Sequence, residues 1–235
     1  MTQDRDYKNN ILHLRDTSKV PTQENGESMV RLPADILRLQ YAKTDMVPLL
    51  GHDMFVRRRV AEKLIAIQRR LEAQDSPYQL HIVYAYRAPA VQARYFQRAL
   101  NQVQSANQSL PLEEQIELAH SMAAHPKVAG HPTGGAVDIT LWNRGPQLPV
   151  DMGSDIAEYG DPAYTYYPHL TNERQKHRQY LQDLMVAEQF APFLGEWWHF
   201  SYGDKEWAAY YRQPAARYGP LELERVKQFV RVSRS

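Results

Sequence analysis

The chain of 235 residues contains no cysteine. That absence excludes a disulfide framework, a thiolate metal site and a cysteine nucleophile, so any metal must be held by His, Asp or Glu. Net charge is also missing, since 28 Lys and Arg face 27 Asp and Glu and leave +1. No global field therefore draws nucleic acid or an anionic membrane to the protein; neither partner is expected, and recognition has to be local. No apolar run approaches the length that spans a bilayer, and the opening MTQDRDYKNN lacks the basic start and apolar stretch of a secretory signal. The cytoplasm is the expected compartment, or the periplasm if a signal peptide was removed. No internal repeat, low-complexity tract or long linker divides the chain.

What is present suits one folded domain: 43% hydrophobic and 23% charged residues over a length able to bury a sizeable core. Residues 1–30 are polar and aperiodic, an extension expected to drape or fray without chemistry, and 31–235 read as a single α+β domain with a C-terminal packing arm. Val56, Val60, Leu64, Ile67 and Leu71 recur at helical spacing and predict an amphipathic helix starting near His52. Its many arginines read as a solvated face rather than a nucleic-acid patch. Tyr78 to Tyr86, rich in β-branched and aromatic residues, predicts a buried strand that delivers Arg87 at its end. Pro89–Gln104, Leu112–Met122 and Asn172–Glu188 read as helices, AVDITL from Ala136 as a short strand, and EWWHFSY from Glu196 as a final aromatic strand. The tail from Asp204 reads as a packing arm of low functional content. The Pro/Gly-rich span 143–168 is a long loop inside the domain, and Met152 to Glu158 within it is a candidate substrate wall.

Two segments carry the chemistry: HPTGGAVD, from His131 to Asp138, and EWWH, from Glu196 to His199. A catalytic zinc site needs three protein ligands, an open position for water, and a non-ligand carboxylate to take the water's proton; two imidazoles and two carboxylates meet that demand. Gly134 and Gly135 let the loop turn tightly enough for His131 and Asp138 to converge. An acid inside an apolar strand, as Asp138 is, must be paired or ligate a metal. Glu196 and His199 would share a helix face, but the aromatic, β-rich context argues for an extended segment, where a local twist or bulge has to bring them to one ion.

Together these segments resemble the HxxGxAxD and ExxH motifs of the VanX-like D-alanyl-D-alanine dipeptidases of the M15 zinc peptidases. The order also matches, from YAKTD at Tyr41 through Tyr86-Arg87 and Met152-Gly153-Ser154 to EWWH. The resemblance implies an α+β fold with a central antiparallel sheet flanked by helices. It implies one zinc ion held by His131, Asp138 and His199, with Glu196 as general base and Arg87 stabilising the transition state. A small peptide is the implied partner, and hydrolysis of D-Ala-D-Ala or a related dipeptide the implied activity. A D,D-carboxypeptidase acting on peptidoglycan stem peptides and a zinc-binding module without catalysis are the alternatives. Three positions depart from the family: Ala129 replaces a Ser, Tyr84 replaces an Asp near the Arg, and Ala157 stands where an Asp grips the substrate amine. Asp155 or Glu158 could take over that last role, and with Tyr84 they are the candidate substrate-binding residues. Of the other histidines, His125 lies nearest the first metal motif.

Overall fold

The protein is described from a computed structural model that covers residues 6–8 and 11–232. In chain order the elements are α1 (Leu14–Thr17), β1 (Met29–Arg31), β2 (Arg38–Leu39), α2 (Val47–Leu50), β3 (Phe55–Arg57), α3 (Arg58–Ala73), β4 (Tyr78–Tyr84), α4 (Pro89–Ala106) and α5 (Leu112–Met122). They continue with β5 (Ala136–Asn143), β6 (Leu148–Pro149), α6 (Asn172–Ala187), β7 (Ala191–Pro192), β8 (His199–Ser201), α7 (Lys205–Tyr210) and α8 (Leu223–Val232). The main sheet runs β2-β4-β5-β8-β7 with β6 beside β5, antiparallel except for the parallel β2–β4 pair. The α+β fold is therefore as expected, with one parallel edge.

Side-chain alternation decides where the site lies. Along β5, Val137, Ile139 and Leu141 enter the core, where they meet Val60, Leu64, Ile67 and Leu71 of α3 and Leu181 and Met185 of α6. Asp138, one residue out of phase, faces the other side of the sheet. The expected first helix begins at Arg58 rather than near His52, because residues 55–57 pair with β1 as a strand before the chain turns helical. A second departure concerns EWWHFSY. Only His199–Ser201 is strand; Glu196 to Trp198 form a turn, closed by the His199 amide donating to the Glu196 carbonyl at 3.0 Å. That turn supplies the reorientation which an extended pair would have lacked.

The N-terminal segment is knitted to the other end of the chain. Gln23 N–H donates to the Ala216 carbonyl at 2.8 Å, Asn25 N–H to Arg217 at 3.0 Å, and Met29–Arg31 pair with β3. Residues 1–5, 9 and 10 of the expected extension lie outside the described residues.

Candidate active site

The turn before β5 is built by its glycines. Gly134 has a φ of +72°, and a Cβ on Gly135 would stand 2.5 Å from the Tyr202 carbonyl oxygen, so no other residue lets the chain pass here undistorted. The turn leaves His131 at the mouth of β5, and the pairing of β5 with β8 sets Asp138 directly opposite His199. His131 Nδ1 lies 2.7 Å from the Ala85 carbonyl, which only accepts, so Nδ1 carries the hydrogen and Nε2 is left with its lone pair toward Asp138, 3.3 Å away. His199 Nδ1 is 2.9 Å from the same Asp138 oxygen. One ligand atom from each of His131, Asp138 and His199 lies within 4.8 Å of the others, and all three residues are buried. Two imidazoles and a carboxylate, converging with a free nitrogen lone pair, suit zinc or a similar divalent ion.

Electrostatics bind the three groups together. Burial pushes the Asp138 carboxyl up, yet the positive charge that His131 and His199 carry once protonated, with the hydrogen bonds they then donate, more than reverses this, and it ends well below the ordinary carboxylate range. Burial pushes His131 down to about 4, despite Asp138. Burial also disfavours the charged form of His199, but the hydrogen bond to Asp138 and the nearby Glu206 and Glu196 outweigh it and raise it to about 10. Glu196 is raised by burial, so its carboxylate has an enhanced appetite for a proton.

The D-Ala-D-Ala dipeptidase family of M15 peptidases matches residues 38–217, about three quarters of the chain. The chain belongs to that family. A D-alanyl-D-alanine dipeptidase of Synechocystis sp. is 42% identical over 94 residues, which is 35% of this chain and 38% of that relative. The chain thus matches well under half of that relative's length. Among solved structures, the LdcB LD-carboxypeptidase aligns with a TM-score of 0.45 at 18% identity, covering 89% of this chain and 84% of the other. VanYB in complex with D-alanine-D-alanine aligns with a TM-score of 0.42 at 15% identity, covering 90% and 97%.

In this family member the three prospective ligands open into a cavity of about 260 Å³, lined also by Glu196, Arg87 and Trp198. Arg87 is buried and keeps one side-chain partner, the Gln92 amide oxygen at 2.8 Å, while its Nε is unpaired among the described residues. Trp197 faces elsewhere and donates from Nε1 to Ser154 Oγ at 2.9 Å. Ala129 and Ala157 both line the cavity, so two of the family departures lie on its wall. The structure does not bring Asp155 or Glu158 there. Both are exposed, Glu158 accepts from the Asp155 amide at 3.0 Å, and neither lines the cavity, so the expected substitute for the amine anchor is absent from the wall. Tyr84 is corrected too. It is buried beneath the site with its hydroxyl on the Asp45 carboxylate at 2.8 Å and its ring 4.5 Å from the Arg87 guanidinium carbon, so it braces the arginine instead of lining the cavity.

Several wall residues escaped the sequence reading. Glu206, from the supposed packing arm, lines the cavity and sets Oε2 3.8 Å from His199 Nε2; burial, with Asp204 adding to it, raises its carboxyl to about 8. Its only signal was an acid inside an aromatic run, WHFSYGDKEW. Leu12 and Thr17, from the extension expected to carry no chemistry, line the cavity, as do His120 and Met122. Lys43, inside YAKTD, also lines it. His125 instead packs edge-on against Phe96 with ring centroids 4.6 Å apart.

Proposed function

We propose that this chain is a zinc-dependent peptidase that hydrolyses D-Ala-D-Ala or a closely related small peptide. The observation that carries the reading is the convergence of His131, Asp138 and His199 within 4.8 Å in the same cavity as Glu196 and Arg87. Metal-assisted hydrolysis needs a ligand set, a base and an anion stabiliser, and this cavity offers all three. A divalent ion held by the three ligands supplies Lewis acidity toward the scissile carbonyl and its attacking water. Glu196, whose proton affinity burial has raised, takes the water's proton and returns it to the leaving amine. Arg87, which lines the same cavity, meets the oxygen on which negative charge develops. The Ala85 carbonyl holds His131 in the tautomer that a ligand requires.

Ala157 on the cavity wall favours a second reading, in which the peptide is blocked at its amino end and the enzyme acts as a carboxypeptidase. The test compares zinc-loaded protein on free D-Ala-D-Ala and on an N-acylated peptide ending in D-Ala-D-Ala. Cleavage of the free dipeptide supports the first reading, and preference for the blocked peptide the second. Glu196→Ala is expected to keep its zinc and its fold and to lose hydrolysis by roughly 10²–10⁴-fold; full activity in that variant rules out the assigned base.

A further inference from the structure

Lys43 stands on the cavity wall without a direct ion-pair partner among the described residues. The chain after β2 keeps running beside β4, with Gln40 N–H on the Ile82 carbonyl at 3.1 Å and Ala42 N–H on Val83 at 3.0 Å, and this carries Lys43 to the cavity that holds the metal ligands. Its ammonium donates to the Tyr159 hydroxyl at 3.0 Å and lies 5.2 Å from the ring centroids of Tyr95 and Tyr159. Among the described residues no carboxylate comes within ion-pair distance of it. The nearest acid in sequence, Asp45, is engaged by the hydroxyls of Tyr84 and Tyr95 at 2.8 and 2.7 Å. Burial and the like charge of Arg87 push the Lys43 ammonium below its ordinary range, against the opposing pull of the more distant Asp138, Glu196 and Asp45 carboxylates. An ammonium half out of water, held by a hydroxyl and two aromatic faces and open to a cavity, is a receptor for an anion. On the same wall Ala157 offers nothing to a substrate ammonium.

We infer that Lys43, with Tyr159, recognises a carboxylate of the substrate and so determines specificity. The assignment rests on the peptidase reading and names the ligand chemistry of that same cavity: a peptide presenting an acid, where an amine anchor is missing. The acid can belong to the departing C-terminal residue or to the acyl half, and the experiment separates the two.

The panel is D-Ala-D-Ala, its N-acetyl form and its N-succinyl form, each as the free C-terminal acid and as the C-terminal amide. It is assayed with zinc-loaded wild type, Lys43→Met and Lys43→Arg. In wild type, removing the acid that Lys43 holds is expected to lower kcat/KM about ten- to hundredfold, chiefly through KM. Amidation does this if the acid lies on the departing half, and exchange of succinyl for acetyl if it lies on the acyl half. In Lys43→Met the same exchange is expected to cost less than about twofold, and Lys43→Arg restores the discrimination. An equal loss on all six substrates in Lys43→Met, or wild-type discrimination persisting in it, overturns the assignment while leaving the peptidase reading intact. Cleavage of none of the six by wild type overturns both.

Discussion

Arg57 and Arg87 are both buried arginines at the edge of the same Gly-rich loop, and they are used in opposite ways. Arg57 has every donor group engaged: Nε on the Thr133 carbonyl at 2.7 Å, Nη1 on Glu24 and the Glu27 carbonyl at 3.0 and 2.6 Å, Nη2 on Glu24 and the Gly219 carbonyl at 2.9 and 3.1 Å. Its fork ties the N-terminal segment, the metal-motif loop and the C-terminal arm into one unit. Arg87, which lines the cavity, donates from Nη1 to Gln92 and has no hydrogen-bond partner for Nε among the described residues. A buried guanidinium is costly unless it is bonded, so the saturated one stabilises the fold, and the unsaturated one is held ready for a ligand by Tyr84 and Tyr95 beneath it.

The widest separation should come from Arg57→Met, which strands three carbonyls and Glu24 at once. It is expected to cost about 3–5 kcal/mol of stability, read by chemical denaturation. A loss below about 1 kcal/mol would show that the saturated arginine is dispensable and would break the contrast. Arg87→Met is expected to do the reverse. Hydrolysis should fall by about 10²–10³-fold, while stability changes by about 1 kcal/mol, because the lost hydrogen bond to Gln92 and cation–π contacts to Tyr84 and Tyr95 are offset by relief of the cost of burying a charge. A large drop in melting temperature with undiminished turnover per folded molecule would assign Arg87 to the fold.

The smallest effect sharpens the comparison with a group that is unsatisfied yet away from the cavity. Both ring nitrogens of His81 are buried without a partner among the described residues, and burial, aided by the Arg38 charge, pushes the imidazole down to about 4. The unfolded chain takes up a proton near pH 6.5 while the folded chain resists to about 4, so below 6.5 the unfolded state binds more protons and stability falls with falling pH. The loss should accumulate between about pH 6.5 and 4, reach at most about 3 kcal/mol, and level off below. His131 and His120, also held down to about 4, act in the same sense, so His81→Phe is expected to make that slope shallower by the share of one imidazole in acid denaturation monitored by circular dichroism. An unchanged slope would place the acid sensitivity elsewhere.

Much of this was legible in the sequence, and unevenly so. The helix carrying Val60, Leu64, Ile67 and Leu71 and the strand alternating around Asp138 were readable because periodicity is a local property, expressed wherever a segment buries one face. Glu206 and Lys43 were not, because packing sets what each faces: the chain folds back after β8 to bring Glu206 to His199, and Lys43 meets Tyr159, 116 residues away. Asp155 and Glu158 misled for the related reason that nearness in sequence to a lost anchor does not fix which way a loop residue points.

By itself the sequence determined the available chemistry. With no cysteine, the metal donors had to be imidazole and carboxylate; the glycines permitted the tight turn, and the strand phase put an acid on the face opposite the core. Only the tertiary structure decided how those groups meet. Strand register set Asp138 opposite His199, the Ala85 carbonyl chose the His131 tautomer, and the turn at residues 196–199 brought Glu196 and His199 to one cavity. Hydrogen-bond directions and cavity walls depend on where separate segments come to rest, and that is settled by packing across the whole chain, which no single segment encodes.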